Sequence, residues 1–404
     1  MKSVCIIGAG PAGLVAAKTF LQRGCYSVTV FETADRVGGM WRAKRGEYGD
    51  KCSPDMRTNL SRFTVAFSDL AWSSVDLSDS DSKVASPPAL PMFPKAWQVG
   101  RYLAEYAQKF GVDTNVLYNK RITRASPSDG FGQWEITSID NLTQQQSTHT
   151  YDYLVVASGF FDRPMLSFDP SHGQDSVNIQ HSSSFRTLPA LTNKAGKIVV
   201  IGGGISGSEA AAQAALQISN AKYSPRETNS VHAESTVYHI INRPFYCLPR
   251  YLPQDCKNPA PCFLPLDLVL YNLSRRGDGE ITATITTVPP EKAEKGHQFL
   301  RSIIGGDQKD IGHSALVYSQ DQTRYPGYTG ITETYSEFVR SGVIVPVQGW
   351  VDKVEEDKQG GFIVVVNPKA PWSDVSGDNG AVGSIGVLFN VGLTVRSEPA
   401  PFPT

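Results

Sequence analysis

The chain has 404 residues, 38 basic and 39 acidic, giving a formal net charge of −1; 40% are hydrophobic and 19% charged. That length and composition fit a soluble globular protein of roughly two domains, about 150 to 200 residues each. The balanced charge argues against nucleic-acid or acidic-membrane partners, and no run of about 18 apolar residues is present to span a bilayer.

Ser3 to Ile7 already reads as a strand, which leaves no room before Gly8 for a signal peptide, so the cytoplasm is the expected compartment. Gly8-Ala9-Gly10-Pro11-Ala12-Gly13 follows, then a helix with Leu14, Ala17 and Leu21 on one face. Pro11 sits just inside that helix, where its missing N–H is harmless. Gly24 ends the helix, and Val28 to Phe31 forms a second strand closed by Glu32.

A lone G-x-G-x-x-G is weak, but here a strand precedes it, a helix follows, and an acid stands 19 residues past Gly13. Gly8 allows the tight turn, Gly10 lets the backbone approach a pyrophosphate, and Gly13 permits close helix–strand packing. The helix N-terminus, with Pro11 and Ala12 in its first turn, offers free N–H groups to the anion. Glu32 can accept from ribose hydroxyls.

Residues Ala71 to Pro94 read as loop, and Val99 to Phe110 as a helix. Short strands come next, around Ile122, placed among the cofactor-lining positions, and around Trp134 to Thr137. The run Tyr151 to Ala157 reads as a buried strand ending at Ser158-Gly159. A turn-rich linker spans about Asp162 to Gly173.

A second unit opens with strand Ile198 to Ile201, the turn Gly202-Gly203-Gly204-Ile205-Ser206-Gly207, an alanine-rich helix and strand Thr236 to Ile241. Gly202, Gly204, Ser206 and Gly207 are its phosphate-binding positions. The strand ends on Asn242-Arg243, not on an acid. A carboxylate there would repel a 2′-phosphate, whereas arginine pairs with it, which favours NADPH over NADH. Arg243 is the first candidate and Arg250 the other; a plain strand cap is the alternative. Pro244 to Pro265 reads as irregular. Tyr325, Tyr328 and Tyr335 form an aromatic cluster, either a packed interface or a substrate path. Strands near Val343 to Val347 and Phe362 to Val366 are predicted to return to the first domain.

Two dinucleotide turns imply hydride transfer from a nicotinamide to a flavin, and then to a disulfide, a quinone or oxygen. None of the six cysteines is spaced C-x-x-C, so oxygen is the favoured acceptor. Cys256 and Cys262 could form a disulfide, although isolated thiols suit a cytosolic chain better.

Arg36-Val37-Gly38-Gly39-Met40-Trp41-Arg42 resembles the G-G-x-W-R of flavin-containing monooxygenases. Arg57-Thr58-Asn59-Leu60 resembles the family segment whose asparagine faces flavin and nicotinamide. Phe93-Pro94, Ser158-Gly159 and His181 to Phe185 also match, the last as the second half of F-x-G-x-x-x-H-x-x-x-F/Y. Asp175 and Val177 depart from the first half of that signature; a lone His181 reads more often as a surface or linker histidine, but its place between the two nucleotide units favours a functional one. Phe185 stands where Baeyer–Villiger relatives carry tryptophan. Trp41 either packs in the core or lies beside the flavin. Ile385 to Leu393 is the nearest counterpart of the family's closing A-T-G-Y/F strand. Only 11 residues follow Leu393, so a closing helix and a hydrophobic C-terminal anchor are expected to be missing.

The resemblance implies an α/β fold of two Rossmann-like dinucleotide-binding domains, the NADPH domain inserted into the FAD domain. The expected boundaries are 1–162 (FAD, first part), 163–328 (NADPH) and 329–404 (FAD, return). It implies an FAD- and NADPH-dependent monooxygenase that forms a C4a-hydroperoxyflavin. The product is an oxygenated nitrogen, sulfur or carbon centre of a small organic molecule. Gly39, Met40, Trp41, Arg57, Thr58, Asn59, Leu60, Ser158, Gly159 and His181 then line the cofactors, and Asn59 is the catalytic residue. No metal is needed, because the cofactor carries the chemistry. A Baeyer–Villiger oxygenase, an NADPH oxidase or a degenerate nucleotide-binding protein are the alternatives. The oligomeric state stays open, a homodimer included.

Overall fold

The computed structural model describes all residues except 48–50, 79–89, 129–131, 161–178, 225–229, 255–256, 258, 261, 271–287, 357–361, 368–385, 390 and 396–404. The chain divides into two compact units, Met1–Arg163 and Pro164–Thr404.

The first unit opens with β1 (Lys2–Ile7), α1 (Pro11–Gln22) and β2 (Tyr26–Phe31). Next come α2 (Ala96–Lys109) and β3 (Val116–Leu117), then β4 (Lys120–Pro127), β5 (Trp134–Asp140), β6 (Gln146–Tyr151) and β7 (Tyr153–Val156). Strands β3, β2, β1 and β7 lie in that order, all parallel. Alternate side chains on β1 face opposite ways, as a pleated strand requires. Val4 and Ile6 pack with Leu14 and Ala17 of α1 and with Tyr102, Leu103 and Tyr106 of α2. Cys5 faces the other way, with Phe31, Ile136 and Tyr151. That second face is covered by the antiparallel sheet β4-β5-β6.

The apolar run Tyr151 to Ala157 is thereby shared between two sheets. It breaks at Asp152, whose carboxylate accepts from the Ser3 N–H at 2.7 Å and the Ser3 hydroxyl at 2.9 Å. Helix α2 begins three residues earlier than predicted, because the Lys95 N–H is capped by the Gln98 side chain at 2.8 Å.

The second unit repeats the plan. It contains β8 (Ile179–His181), α3 (Leu188–Leu191), β9 (Lys197–Ile201), α4 (Ile205–Tyr223) and β10 (Thr236–Ile241). Short pieces follow: β11 (Tyr246–Leu248), β12 (Tyr251–Gln254), β13 (Cys262–Pro265) and α5 (Leu266–Leu270). Then come α6 (Pro290–Ile304), β14 (Thr329–Ile331), α7 (Glu333–Arg340) and β15 (Ile344–Gln348). Strands β16 (Trp350–Glu356), β17 (Phe362–Asn367), β18 (Gly386–Phe389) and β19 (Val391–Val395) close the described chain.

The main sheet runs β15-β10-β9-β18-β8, with β15, β10 and β9 parallel and β18 antiparallel to both its neighbours. Ala210, Ala211, Ala214 and Ala215 of α4 pack on Ile198, Val200, Val237 and Ile241. Alanine brings the helix axis close to the sheet. On the opposite face Val199, Ile201 and Ile240 meet Val364 and Val366 of β17.

Two expectations are corrected here. The strands after residue 329 do not return to the first sheet. Ile344–Gln348 pairs in parallel with β10, Val237 opposite Ile344 and Ile241 opposite Gln348. The edge of β10 offers unpaired backbone groups, and α7 supplies the crossover that brings the chain back to it. Ile385 to Leu393 likewise contributes β18, which lies against β9. Among the described residues the two units are consecutive, and the first sheet is complete by Val156. The span Pro244 to Pro265 is also less irregular than expected. Strand β11 pairs with β14 about 80 residues later, and β12 pairs with β13. The linker from Asp162 to Gly173 lies outside the described residues.

Candidate nucleotide-binding sites

At the first turn Gly8 has φ +100°, and a Cβ there would lie 2.5 Å from the Ala157 carbonyl oxygen. A Cβ on Gly13 would lie 1.8 Å from the Gly8 oxygen. Neither position accepts a side chain. Gly10, by contrast, has only the Gly39 Cα nearby, at 3.7 Å, so this part of the backbone is approachable. Gly10 caps α1 with no side-chain partner, and Pro11 is its first residue. The orphan N–H groups and the positive helix end favour an anion there.

Glu32 is buried, and the turn itself fixes its carboxylate. Oε2 accepts from the Ala9 N–H at 2.7 Å and Oε1 from the Ala34 N–H at 2.9 Å. Lone pairs remain on both oxygens for ribose hydroxyls.

Gly38 and Gly39 take positive φ, +116° and +57°. The Gly38 N–H donates to the Ala9 carbonyl at 2.9 Å, and a Cβ on Gly39 would sit 3.1 Å from the Gly10 Cα. The second glycine pair therefore lies on the first turn. Met40 is exposed at the surface, whereas Trp41 packs against Ala43, Cys52 and Ala96. A contact missing from the sequence reading is Gly100 on α2, where a Cβ would fall 2.4 Å from the Trp41 oxygen.

The segment Arg57 to Leu60 is clamped to Phe93 to Lys95. Arg57 bridges Lys95, the Thr58 N–H donates to the Pro94 oxygen at 2.9 Å, and Arg57 Nη1 donates to the Phe93 oxygen at 3.3 Å. The Thr58 hydroxyl donates to the Leu60 carbonyl at 2.7 Å. Two motifs distant in sequence are thus one structure. In it the Asn59 side-chain oxygen is buried without a hydrogen-bond partner. Such a group is costly unless a ligand satisfies it. Ile122 packs between the two sheets, with the Phe31 and Tyr151 cluster. Gly159 has φ +79° and, with Ser158, is exposed just beyond β7.

The second turn copies the first. Gly202 has φ +125°, a Cβ on Gly207 would lie 1.9 Å from the Gly202 oxygen, and Gly204 faces open space. Ser206 is exposed on the first turn of α4. Arg243 is half-buried with its guanidinium over the Tyr328 ring, and burial pushes its pKa down. No carboxylate among the described residues pairs with it. Arg250 acts electrostatically on Glu209, whose pKa burial nevertheless raises.

His181 lies on the edge strand β8, its Nδ1 2.8 Å from the Ser183 hydroxyl. Phe185 is buried in the core of the second unit. Asp175 and Val177 lie outside the described residues. The tyrosines do not form one cluster: Tyr328 holds Arg243, the Tyr325 carbonyl accepts from His297 Nε2, and Tyr335 is buried against His239. Cys262 is an exposed free thiol, and Cys256 lies outside the described residues.

One buried group under the second turn escaped the sequence reading. His239 lies with Nε2 2.8 Å from the Gly202 oxygen and Nδ1 2.8 Å from the Tyr335 hydroxyl. Burial pushes its pKa down to about 4.

The pyridine nucleotide-disulphide oxidoreductase family matches residues 2–245. Flavin-containing monooxygenase FMO GS-OX-like 3 of Arabidopsis thaliana is 29% identical over 221 residues, 51% of this chain and 46% of that protein. FMO GS-OX3 from the same plant is 27% identical, over 52% of this chain and 45% of its own length. The chain thus spans about half the length of these curated relatives. Among solved structures, OTEMO in complex with FAD and NADP superposes with a TM-score of 0.55 at 16% identity, over 98% of this chain and 71% of that one. Cyclohexanone monooxygenase in an open form gives 0.51 at 14%, over 98% and 73%. At these identities the likeness is one of fold: two Rossmann-like α/β units. No helix among the described residues is long and apolar enough to cross a membrane.

Proposed function

The chain belongs to the pyridine nucleotide-disulphide oxidoreductase family, and on that footing we propose that it is an FAD- and NADPH-dependent monooxygenase. It oxygenates a nucleophilic nitrogen or sulfur centre of a small organic molecule, in the cytoplasm. The observation that carries the reading is the unlike ending of two like turns. Glu32 is held beside the first, and Arg243, with no carboxylate partner among the described residues, stands beyond the second. An acid suits the FAD ribose, and an unpaired guanidinium suits a 2′-phosphate. Oxygen as the acceptor is supported by relatives named flavin-containing monooxygenases.

The residues present fit the two cofactors. Gly8, Gly10 and Gly13 with the N-terminus of α1 hold the FAD pyrophosphate, and Glu32 holds its ribose. Gly39 keeps the backbone close over that turn. Gly202, Gly204 and Ser206 hold the NADPH pyrophosphate. When bound, FAD and NADPH supply the electrons and the activation of oxygen. The chain supplies position: Asn59, with its buried unpartnered oxygen, offers its amide to the reacting region, and the bond from the neighbouring Thr58 N–H to the Pro94 oxygen keeps the segment there. Purified protein supplied with FAD should oxidise NADPH in air and convert a thioether to its sulfoxide. NADPH oxidation that yields only hydrogen peroxide across an amine and thioether panel contradicts the proposal.

A further inference from the structure

The two glycine turns hold the same peptide from opposite ends. In the first, Ile7 pairs with Phe31, and in the second, Ile201 pairs with Ile240. This register places Ala9 against Gly203, Glu32 against Ile241 and Val30 against His239. The Ala9 N–H is held by Glu32 at 2.7 Å. The Ile241 side chain cannot accept a hydrogen bond, and no described side chain takes the Gly203 N–H.

The second peptide is instead held at its carbonyl. His239 Nε2 is 2.8 Å from the Gly202 oxygen, and the ring sits under both glycines, 3.1 Å from where a Gly207 Cβ would be. A carbonyl only accepts, so Nε2 carries the proton. The neutral ring then accepts at Nδ1 from the Tyr335 hydroxyl, 2.8 Å away. Tautomer and ring orientation are both fixed. Because the peptide is planar and trans, a Gly202 carbonyl drawn towards His239 turns the Gly203 N–H to the opposite side. Gly202, with φ +125°, has no side chain of its own to set that orientation.

We propose that His239 and Tyr335 are positioning residues for the second nucleotide: they lock the Gly202–Gly203 peptide with its N–H presented to the pyrophosphate. This rests on the second turn holding a pyridine dinucleotide. The turn that must release and rebind its ligand keeps its N–H for that ligand, while the turn with Glu32 commits its N–H to the carboxylate.

The test is calorimetric titration of the FAD-loaded protein with NADP+, comparing wild type with His239→Val (the residue type at the matching position of β2, Val30), His239→Gln and Tyr335→Phe. His239→Val should keep its FAD and bind NADP+ about tenfold more weakly, with kcat at saturating NADPH nearly unchanged. His239→Gln, which restores an N–H donor, should recover most of that loss, and Tyr335→Phe should weaken binding about threefold. A folded His239→Val that binds NADP+ like wild type, or that loses FAD in parallel, overturns the proposal. If His239→Val does not fold, an unchanged dissociation constant in Tyr335→Phe overturns it equally. Wild type that binds neither NADP+ nor NAD+ refutes the reading of the second turn itself, a separate result.

Discussion

The Ala9 N–H donates to Glu32 Oε2 at 2.7 Å, so the acid that closes β2 is bonded to the middle of the glycine turn that closes β1. One carboxylate thereby shapes the turn and, under the proposed assignment, holds the FAD ribose. Glu32→Ala removes that acceptor and leaves two backbone N–H groups without a partner. Each lost bond of this type is worth roughly 1 to 3 kcal/mol, so FAD affinity should fall at least about tenfold. The flavin-to-protein absorbance ratio after gel filtration measures this. Full retention of FAD contradicts the role.

The glycine contacts separate the two sites genetically. Gly13→Ala puts a methyl 1.8 Å from the Gly8 oxygen, and Gly207→Ala puts one 1.9 Å from the Gly202 oxygen. Either turn has to open to make room. Gly13→Ala is expected to lose FAD, whereas Gly207→Ala should keep FAD and lose NADP+ binding. Flavin content and NADP+ titration of both variants check the pair. Equal effects on both ligands contradict the assignment of one site to each unit.

Much of this was legible in the sequence, because a glycine turn between strand and helix is a local pattern. Gly8, Gly13, Gly202 and Gly207 each fill the tight position that their spacing implies. What stayed hidden depends on contacts distant in sequence. Strand β11 pairs with β14 across some 80 residues of chain, and no local periodicity records that. Ile344 to Gln348 reads as any buried strand; which sheet takes it depends on the free edge of β10. His239 sits within the apolar run of β10, where one polar residue signals little until Gly202 and Tyr335 are placed beside it. Gly100 looks like an ordinary weak point in a helix, yet the Trp41 carbonyl leaves no room there for a side chain.

Arg243 should set the choice between the phosphorylated and unphosphorylated nicotinamide cofactor. A charge-assisted bond to phosphate contributes roughly 1.5 to 3 kcal/mol. Arg243→Ala should therefore lower kcat/KM for NADPH about 10- to 100-fold and leave NADH nearly unaffected. Equal losses with the two cofactors contradict contact with the 2′-phosphate. In that case Arg243 serves only to pack on Tyr328.

His239 also links stability to pH. Its folded pKa of about 4 lies below the 6.5 of an ordinary imidazole, because burial disfavours the charged ring. Between those values the unfolded chain binds a proton that the folded chain does not. The contribution is complete above about pH 6.5 and is lost as pH falls towards 4, amounting to about 3 kcal/mol. Burial depresses His232, His297 and His313 in the same direction, so the difference between wild type and His239→Val isolates the one residue. Urea unfolding at pH 7.5 and pH 5 should show a smaller loss of stability on acidification for the variant. Equal losses contradict a neutral buried His239.

Oxygen labelling bears most directly on the monooxygenase reading. The FAD-loaded protein is given NADPH and a thioether under 18O2, and the product is weighed by mass spectrometry. One 18O atom in the sulfoxide, formed with one equivalent of NADPH oxidised, is the predicted result. An unlabelled substrate recovered intact, with all the NADPH accounted for as hydrogen peroxide, would contradict it.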